Sequence, residues 1–117
     1  MILPTDLWVQ ALVRRAHMAG GYATVVRRGD ARAGAVLVKA YDRRARTARL
    51  YAEAVRGGGE RVWMEPLGTT DEAALDAYAE RARTRDPDLW VVEVEDDQGR
   101  HFLTEAVESG GSATPWG

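Results

Sequence analysis

The 117-residue sequence contains no cysteine, which excludes a disulfide framework and a thiolate metal site. It also lacks any apolar run near the roughly 18 residues that a membrane span needs, and its first residues do not follow the pattern of a secretory signal. The only serines are Ser109 and Ser112, and neither His17 nor His101 lies in a recognisable catalytic motif. We therefore expect a cytoplasmic protein without a cofactor, and the sequence favours a non-enzymatic role.

Lysine is almost absent as well, since Lys39 is the single lysine among sixteen basic residues. The formal net charge is only −2, but the charges are unevenly placed. Residues 1–56 carry eleven Lys or Arg and four Asp or Glu, whereas residues 57–117 carry five and fourteen. Two interpretations stay open: a basic surface exposed to an acidic or phosphate-bearing partner, or two halves that face and neutralise each other.

Two helices are predicted from apolar periodicity and end signals. The first begins at Thr5, a candidate N-cap, and closes at Gly20-Gly21. The second runs from Thr70 to about Arg85 behind a capping box formed by residues 69–72.

The segment Tyr22–Tyr41 predicts two strands joined in a hairpin, and its first strand carries apolar residues on both faces. We name residues 27–34 the arginine turn, where Gly29 and Gly34 are expected to supply positive φ. Further strands are predicted at residues 48–54, 61–67, 89–95 and 100–103.

These elements give the order α-β-β-β-β-α-β-β with short connections, which favours antiparallel pairing. The predicted fold is α+β, a single antiparallel sheet of five to six strands with two helices packed against a face. Residues 1–107 form one domain in this prediction, and the polar, Gly/Ser-rich residues 108–117 form a disordered tail.

The weak metal candidates are Glu93, Glu95 and Asp96 in an acidic run before Gly99. The spacing does not match an EF-hand loop, so we interpret the run as a solvated hairpin tip and assign no metal. An enzymatic alternative would require Glu93, Glu95 and His101 to converge in a cleft.

The arginine turn is the strongest candidate for a binding site. Guanidinium groups around a tight turn suit a phosphate, a carboxylate or an acidic protein surface. The simpler alternative is that they pair with Glu93 or Glu95 on a neighbouring strand. As an alternative to nucleic-acid binding, Trp63 and, as a second candidate, Trp8 are expected to be exposed and to mark an apolar contact surface. The full set of predicted binding residues comprises Arg14, Arg15, Arg27, Arg28, Asp30 and Arg32.

Two functions follow from this set. The first is an interaction module that presents the turn to an acidic protein partner or to a second copy of itself. The second is binding of nucleic acid or a nucleotide phosphate through the same arginines. No membrane association is expected.

Three segments together resemble a bacterial family known as domain of unknown function 1491: DLWVQALVRRAHMAGGYATVVRRGDARAGAVLVKAY, RLYAEA and DPDLWVVEVEDDQGRHFL. The resemblance spans roughly residues 5–103. It implies a short single-domain bacterial protein and supplies no activity, cofactor or site residue.

Overall fold

A computed structural model of the chain describes residues 3–55 and 57–108. It confirms the α+β class, with two helices and one six-stranded sheet in the predicted order. The elements are α1 (Thr5–Met18), β1 (Tyr22–Arg27), β2 (Val36–Asp42), β3 (Thr47–Val55), β4 (Arg61–Met64), α2 (Glu72–Arg85), β5 (Trp90–Asp96) and β6 (Val107–Glu108).

The strands lie in the order β1-β5-β2-β3-β4-β6. The predicted Tyr22–Tyr41 hairpin is therefore wrong, because β5 lies between its two strands. The sheet is mixed: β5 pairs antiparallel with β1 and parallel with β2, and β4 pairs parallel with β6. Four of the seven β5 residues are buried apolar residues from both faces of the sheet, which suits an interior strand.

The arginine turn leaves room for β5 because it bends around the residues that precede this strand. Asp30 N–H donates to the Asp88 carbonyl at 3.0 Å, and Trp90 N–H donates to the Ala35 carbonyl at 2.9 Å. Residues near both ends of the turn are thus hydrogen-bonded to residues 88–90. Strands β1 and β2 are separated by the width of one strand, and β5 lies between them.

The two helices cover opposite faces of the sheet rather than one face as predicted. On the α1 face, Trp8 and Leu12 pack with a core that includes Val38, Val92 and Trp63. On the α2 face, the smaller cluster comprises Leu37, Ala48, Leu50, Ala52, Leu75, Leu89 and Val91, with Tyr41, Leu67, Tyr78, Ala79 and Ala82 packed against it. Each helix is 14 residues long, and within the described residues no helix is long and apolar enough to cross a membrane.

Strand β1 lies at the edge of the sheet, and only Ala23 is buried in it. Its apolar residues on both faces predicted a strand covered on both sides, at least in part, and this prediction is wrong for every residue except Ala23. Tyr22, Val25 and Val26 are 53%, 39% and 46% exposed.

Both predicted helix caps lie one or two residues from the observed ones. Thr5 is already helical, and its hydroxyl instead donates to the Gly34 carbonyl at 2.9 Å, which joins α1 to the arginine turn. The cap of α2 is Asp71, whose carboxylate accepts from Ala74 N–H at 3.3 Å. Thr69 supports this cap, since its hydroxyl accepts from the Asp71 N–H at 3.0 Å.

The predicted strand at residues 100–103 is absent from the structure. Phe102 has a φ of +62°, and the His101 ring nitrogen Nδ1 accepts from Leu103 N–H, so the chain turns there. The last strand is β6, where Trp63 N–H donates to the Ala106 carbonyl beside it. The predicted tail, apart from Glu108, lies outside the described residues.

The glycines of the arginine turn are required for close approach and not for positive φ, because neither Gly29 nor Gly34 has a positive φ. A Cβ on either residue would overlap the Asp88 carbonyl oxygen, and a Cβ on Gly34 would also lie 2.9 Å from Trp90 Cδ1. These contacts are mostly with backbone atoms, which cannot move aside as a flexible side chain would.

We expect Gly34→Ala to lower the free energy of unfolding by about 2 kcal/mol, because the added methyl group forces the turn away from residues 88–90. Gly68→Ala is the control, since a Cβ there meets no atom within 4 Å. Urea unfolding of both variants measures the difference. Equal stability of the two variants would contradict the close packing of the turn on Asp88.

Candidate functional site

The arginine turn is held in its conformation by hydrogen bonds between side chains and backbone groups. The Asp30 carboxylate accepts from Arg32 N–H at 3.2 Å and Ala33 N–H at 2.8 Å. The Trp90 indole N–H donates to the Asp30 carbonyl at 2.7 Å. Asp30 therefore shapes the turn, and the arginine side chains around it project from a fixed frame.

Arg27 and Arg28 are exposed at the end of β1. Among the described residues, no carboxylate oxygen lies within 4 Å of either guanidinium. Arg28 lies over the Trp90 ring, 5.1 Å from its centroid. A hydrogen bond from Arg83 at 2.8 Å lowers the pKa of Glu80. The positive charge of Arg27 lowers this pKa further, by a smaller amount.

The pairing of these arginines with Glu93 or Glu95 does not form. The Glu93 carboxylate lies 3.7 Å from Lys39 Nζ, and the Glu95 carboxylate lies 3.9 Å from Arg43. Lys39 and Arg43, which also belong to the basic first half of the chain, thus pair with the glutamates of β5. The two halves neutralise each other in the middle of the sheet, while the end of β1 keeps its positive charge.

Arg14 lies near the same edge of the sheet. It borders a shallow groove of about 480 Å³ between α1 and β1, which is lined by Val9, Gln10, Val13, Arg14, His17, Met18 and Val25. His17 closes one end of this groove, with Nε2 3.2 Å from both the N–H and the carbonyl of Ala23. Its ring also stacks on Tyr22 at 5.5 Å.

Arg15 and Arg32 lie elsewhere, so the structure divides the six predicted residues. Arg15 donates through Nε and Nη2 to the Phe102 carbonyl at 3.2 and 3.0 Å. Arg15 and Arg32 line two adjoining cavities where β2 begins and β3 ends. Both cavities also contact Arg61 and Glu53.

The predicted metal candidates do not converge. Glu93 and Glu95 point to the α2 side, where they meet Lys39 and Arg43, whereas the buried Asp96 binds Arg100. His101 packs edge-on against Tyr51 in the α1-side core, and burial lowers the pKa of His101. Within the described residues, no group of three His, Asp or Glu side chains is arranged to hold a metal ion.

Lys39 is buried on the α2 side with three acids around its Nζ. Glu72 and Asp76 of α2 accept at 2.6 and 2.7 Å, and Glu93 lies at 3.7 Å. Burial alone would lower the pKa of Lys39, but the two hydrogen bonds and Glu93 outweigh it and raise that pKa. Lys39 is therefore held as a cation that ties α2 to the sheet, and it is a poor nucleophile.

Asp96 is the other buried charge, and it organises the turn after β5. Its carboxylate binds Arg100 Nη2 at 2.8 Å and Nε at 2.9 Å, and it accepts from the N–H groups of Gln98 and Arg100. Arg100 and these N–H groups hold the pKa of Asp96 well below its usual range.

A buried tryptophan pair binds the single, half-buried carboxylate of Glu105. Trp8 and Trp63 stack at 5.2 Å, and their indole N–H groups donate to the two oxygens of Glu105 at 3.1 and 3.0 Å. Trp8 and Trp63 are 5% and 0% exposed, so the expectation that they form an exposed contact surface is wrong. Burial would raise the pKa of Glu105, but the two indole donors, a hydrogen bond from its own backbone and the charge of Arg61 together lower that pKa.

Glu53 lies beside this pair and has a different environment. It accepts from Val36 N–H at 3.1 Å and pairs with Arg61 Nε at 2.6 Å. Burial raises the pKa of Glu53 despite Arg61 and the Val36 N–H, and the negative charge of Glu105 adds to that effect. The Arg61 guanidinium also lies 5.7 Å from the Trp8 ring centroid.

Comparison with protein-family models matches residues 3–104 to the family described as a protein of unknown function, DUF1491. This chain belongs to the DUF1491 family. A crystal structure of a DUF1491 family protein from Caulobacter crescentus is similar at 67% identity, covering 92% of this chain and 100% of that one, with a TM-score of 0.90.

An NMR structure of a DUF1491 protein from the same bacterium shares 68% identity over 93% of this chain and 99% of that one, with a TM-score of 0.88. The solution structure of protein Atu0922 from A. tumefaciens shares 33% identity over 95% of this chain and 100% of that one, with a TM-score of 0.78. No curated protein matches the chain. The fold is thus shared across a bacterial family, and the name of the family carries no activity.

Sequence reasoning missed the cluster of Glu53, Arg61 and Glu105 with the two tryptophans. Trp8 and Glu105 are 97 residues apart, and no local pattern connects them. The alternation of β4 offered the only signal, and it was misleading because both faces of that strand are covered.

We expect Asp96→Asn to lower the free energy of unfolding by about 2 kcal/mol at pH 7, because a charge-assisted buried bond is lost. The folded-state pKa of Asp96 is depressed, so its contribution is present above the ordinary pKa near 4. It is lost as the pH falls through the folded-state value. The stabilities of the native protein and the variant should therefore begin to converge below about pH 4 and approach each other further as the pH falls.

Urea unfolding between pH 7 and pH 2 measures this convergence. Asp97→Asn is the control, since Asp97 is exposed and its bond to Arg43 should contribute less than about 1 kcal/mol. A gap that stays constant with pH, or an equal loss in the control, would contradict the role of Asp96.

We expect Glu105→Ala to cost about 3 kcal/mol, because two buried indole N–H groups lose their acceptor. Glu105→Gln should cost less, since its amide oxygen still accepts from one indole. The free energies of unfolding of the two variants provide the measurement. Losses of the same size in both would argue against the two-tryptophan contact.

Proposed function

We propose that this protein is a non-catalytic binding module that takes up an acidic, extended polypeptide segment along β1. The observation that carries the proposal is the open outer edge of β1, which ends in two arginines without a carboxylate within 4 Å among the described residues. An unpaired edge offers main-chain donors and acceptors to an added strand. The proposal keeps the cytoplasmic setting expected from the sequence.

The backbone of β1 supports this mode of binding. Ala23 directs its N–H and carbonyl to His17, on the side away from β5. Because alternate residues of a strand direct their backbone groups to the same side, Val25 N–H and carbonyl also face outward. His17 covers the first outward position, and the register with β5 shifts between Val25 and Arg27, so an added strand would pair at Val25.

The side chains around this edge define the partner. The groove of about 480 Å³ beside Val25 can receive an apolar side chain of the added strand. Arg27 and Arg28 follow directly along β1, and Arg14 borders the groove. Charged hydrogen bonds from guanidinium to carboxylate favour a segment that alternates acidic and apolar residues.

An acidic partner fits this surface better than a second copy of the chain. The β1 sequence YATVVR contains no Asp or Glu, so a second β1 edge would bring no countercharge to Arg27 and Arg28. Nucleic acid would use the arginines but leave the main-chain edge unpaired. The test below distinguishes the acidic peptide from a second copy of the chain and from nucleic acid.

We expect a fluorescein-labelled peptide of alternating valine and glutamate to bind, and Arg27→Glu/Arg28→Glu to weaken that binding about tenfold or more. Binding should also weaken with salt. Fluorescence anisotropy gives the affinities. The matched control is Arg44→Glu/Arg46→Glu, which changes the net charge equally at exposed arginines in the turn between β2 and β3.

Three results would count against the proposal. The first is equal binding of a peptide with lysine in place of glutamate, and the second is an equal effect of the control variant. The third is a dimer in sedimentation analysis that Arg27→Glu/Arg28→Glu leaves intact. Displacement of the peptide by single-stranded DNA that binds more tightly would favour the nucleic-acid function instead.

A further inference from the structure

The two adjoining cavities at the end of the sheet form a second concave site, separate from β1. We name them the sheet-end cleft. Their volumes are about 590 and 380 Å³, and they share Leu3, Glu53, Val55 and Arg61. Cavities of this size are within the range that receives small molecules.

The acids of the cleft are already bound to groups of the protein. Both Glu105 oxygens accept from the indoles of Trp8 and Trp63, and Glu53 is bound to Arg61 and to Val36 N–H. Neither carboxylate is therefore left to hold a cationic ligand.

The donors of the cleft are only partly used. Within residues 3–55 and 57–108, no hydrogen bond engages Arg15 Nη1, the Nη atoms of Arg61, the guanidinium of Arg32 or the Thr104 hydroxyl. Arg15 and Arg61 are nevertheless fixed, the first by the Phe102 carbonyl and the second by Glu53 and the Trp8 ring. Guanidinium groups held in place lose little entropy when they bind an anion.

The lining also includes large apolar side chains that are exposed to solvent. Leu3 is 46% and Val55 is 67% exposed, and both border the cleft beside Ala11. A ligand with an apolar body would cover these side chains while its charged end reaches the arginines.

We propose that the sheet-end cleft binds a small organic anion, with a carboxylate or phosphate group held by Arg15 and Arg61 and an apolar body against Leu3 and Val55. Three arginines against two engaged acids leave the cleft with a net positive charge. This site goes beyond the β1 surface and shares neither Arg27 nor Arg28 with it.

The test is an NMR titration of the full chain with phenylacetate, phenyl phosphate and benzylamine. The Trp8 indole N–H resonance is the reporter, because Trp8 lines the cleft beside Arg61. We expect one or both anions to shift this resonance and benzylamine to leave it unchanged. The tighter of the two anions identifies the headgroup, carboxylate or phosphate.

Val55→Glu should weaken anion binding about tenfold or more, since it adds a negative charge at the mouth of the cleft. Val55→Thr, which is similar in shape and uncharged, should change the affinity less than about twofold. Both Val55 substitutions lie at an exposed position, so the fold is retained. Arg61→Gln should also reduce anion binding. No shift with either anion at about 10 mM, an equal response to benzylamine, or equal affinities of the two Val55 variants would overturn the proposal.

Discussion

The insertion of β5 between β1 and β2 is the constraint on which the rest of the structure depends. The arginine turn carries the chain from β1 to β2 around the Asp88 carbonyl, and Gly29 and Gly34 permit that approach. Strand β5 then pairs with a neighbour on each side and buries Val92 and Val94 completely. The hydrophobic clusters on the α1 face and on the α2 face both contain residues of this interior strand.

The same insertion decides where charge remains. Strand β5 brings Glu93 and Glu95 next to β2, where they pair with Lys39 and with Arg43, the residue that follows β2. The arginines at the end of β1 remain exposed, on a strand that forms one of the two edges of the sheet. A neutralised region around β2 and a positive edge therefore follow from one topological feature, and the proposed β1 binding surface depends on it.

Local patterns predicted most of the elements and little of their arrangement. The apolar stripe of α1 and the β5 alternation are local signals, so these elements were found close to their observed bounds. The neighbours of β5 were not predictable in this way, because Gly29 and Gly34 can equally be read as turn glycines, and their contact with Asp88 spans more than fifty residues.

The candidate site divides in the same way. The sequence identified the arginines of the turn, but it left open whether they are exposed or paired with Glu93 or Glu95, because that depends on which strands are neighbours. The predicted capping box used Glu72 for the helix start, whereas Glu72 binds Lys39, 33 residues away. The contacts of Trp8, Trp63 and Glu105 join three segments that only the folded sheet brings together.

The open edge of β1 is the central claim, and amide hydrogen exchange at Val25 tests it most directly. On this proposal the Val25 N–H of the free protein faces outward, so it should exchange rapidly, while the amides of β5 stay protected. Adding the valine–glutamate peptide should slow exchange at Val25 because an added strand accepts from this N–H. A Val25 amide that is already protected in the free protein, or that stays unprotected while the peptide is bound, would contradict the account.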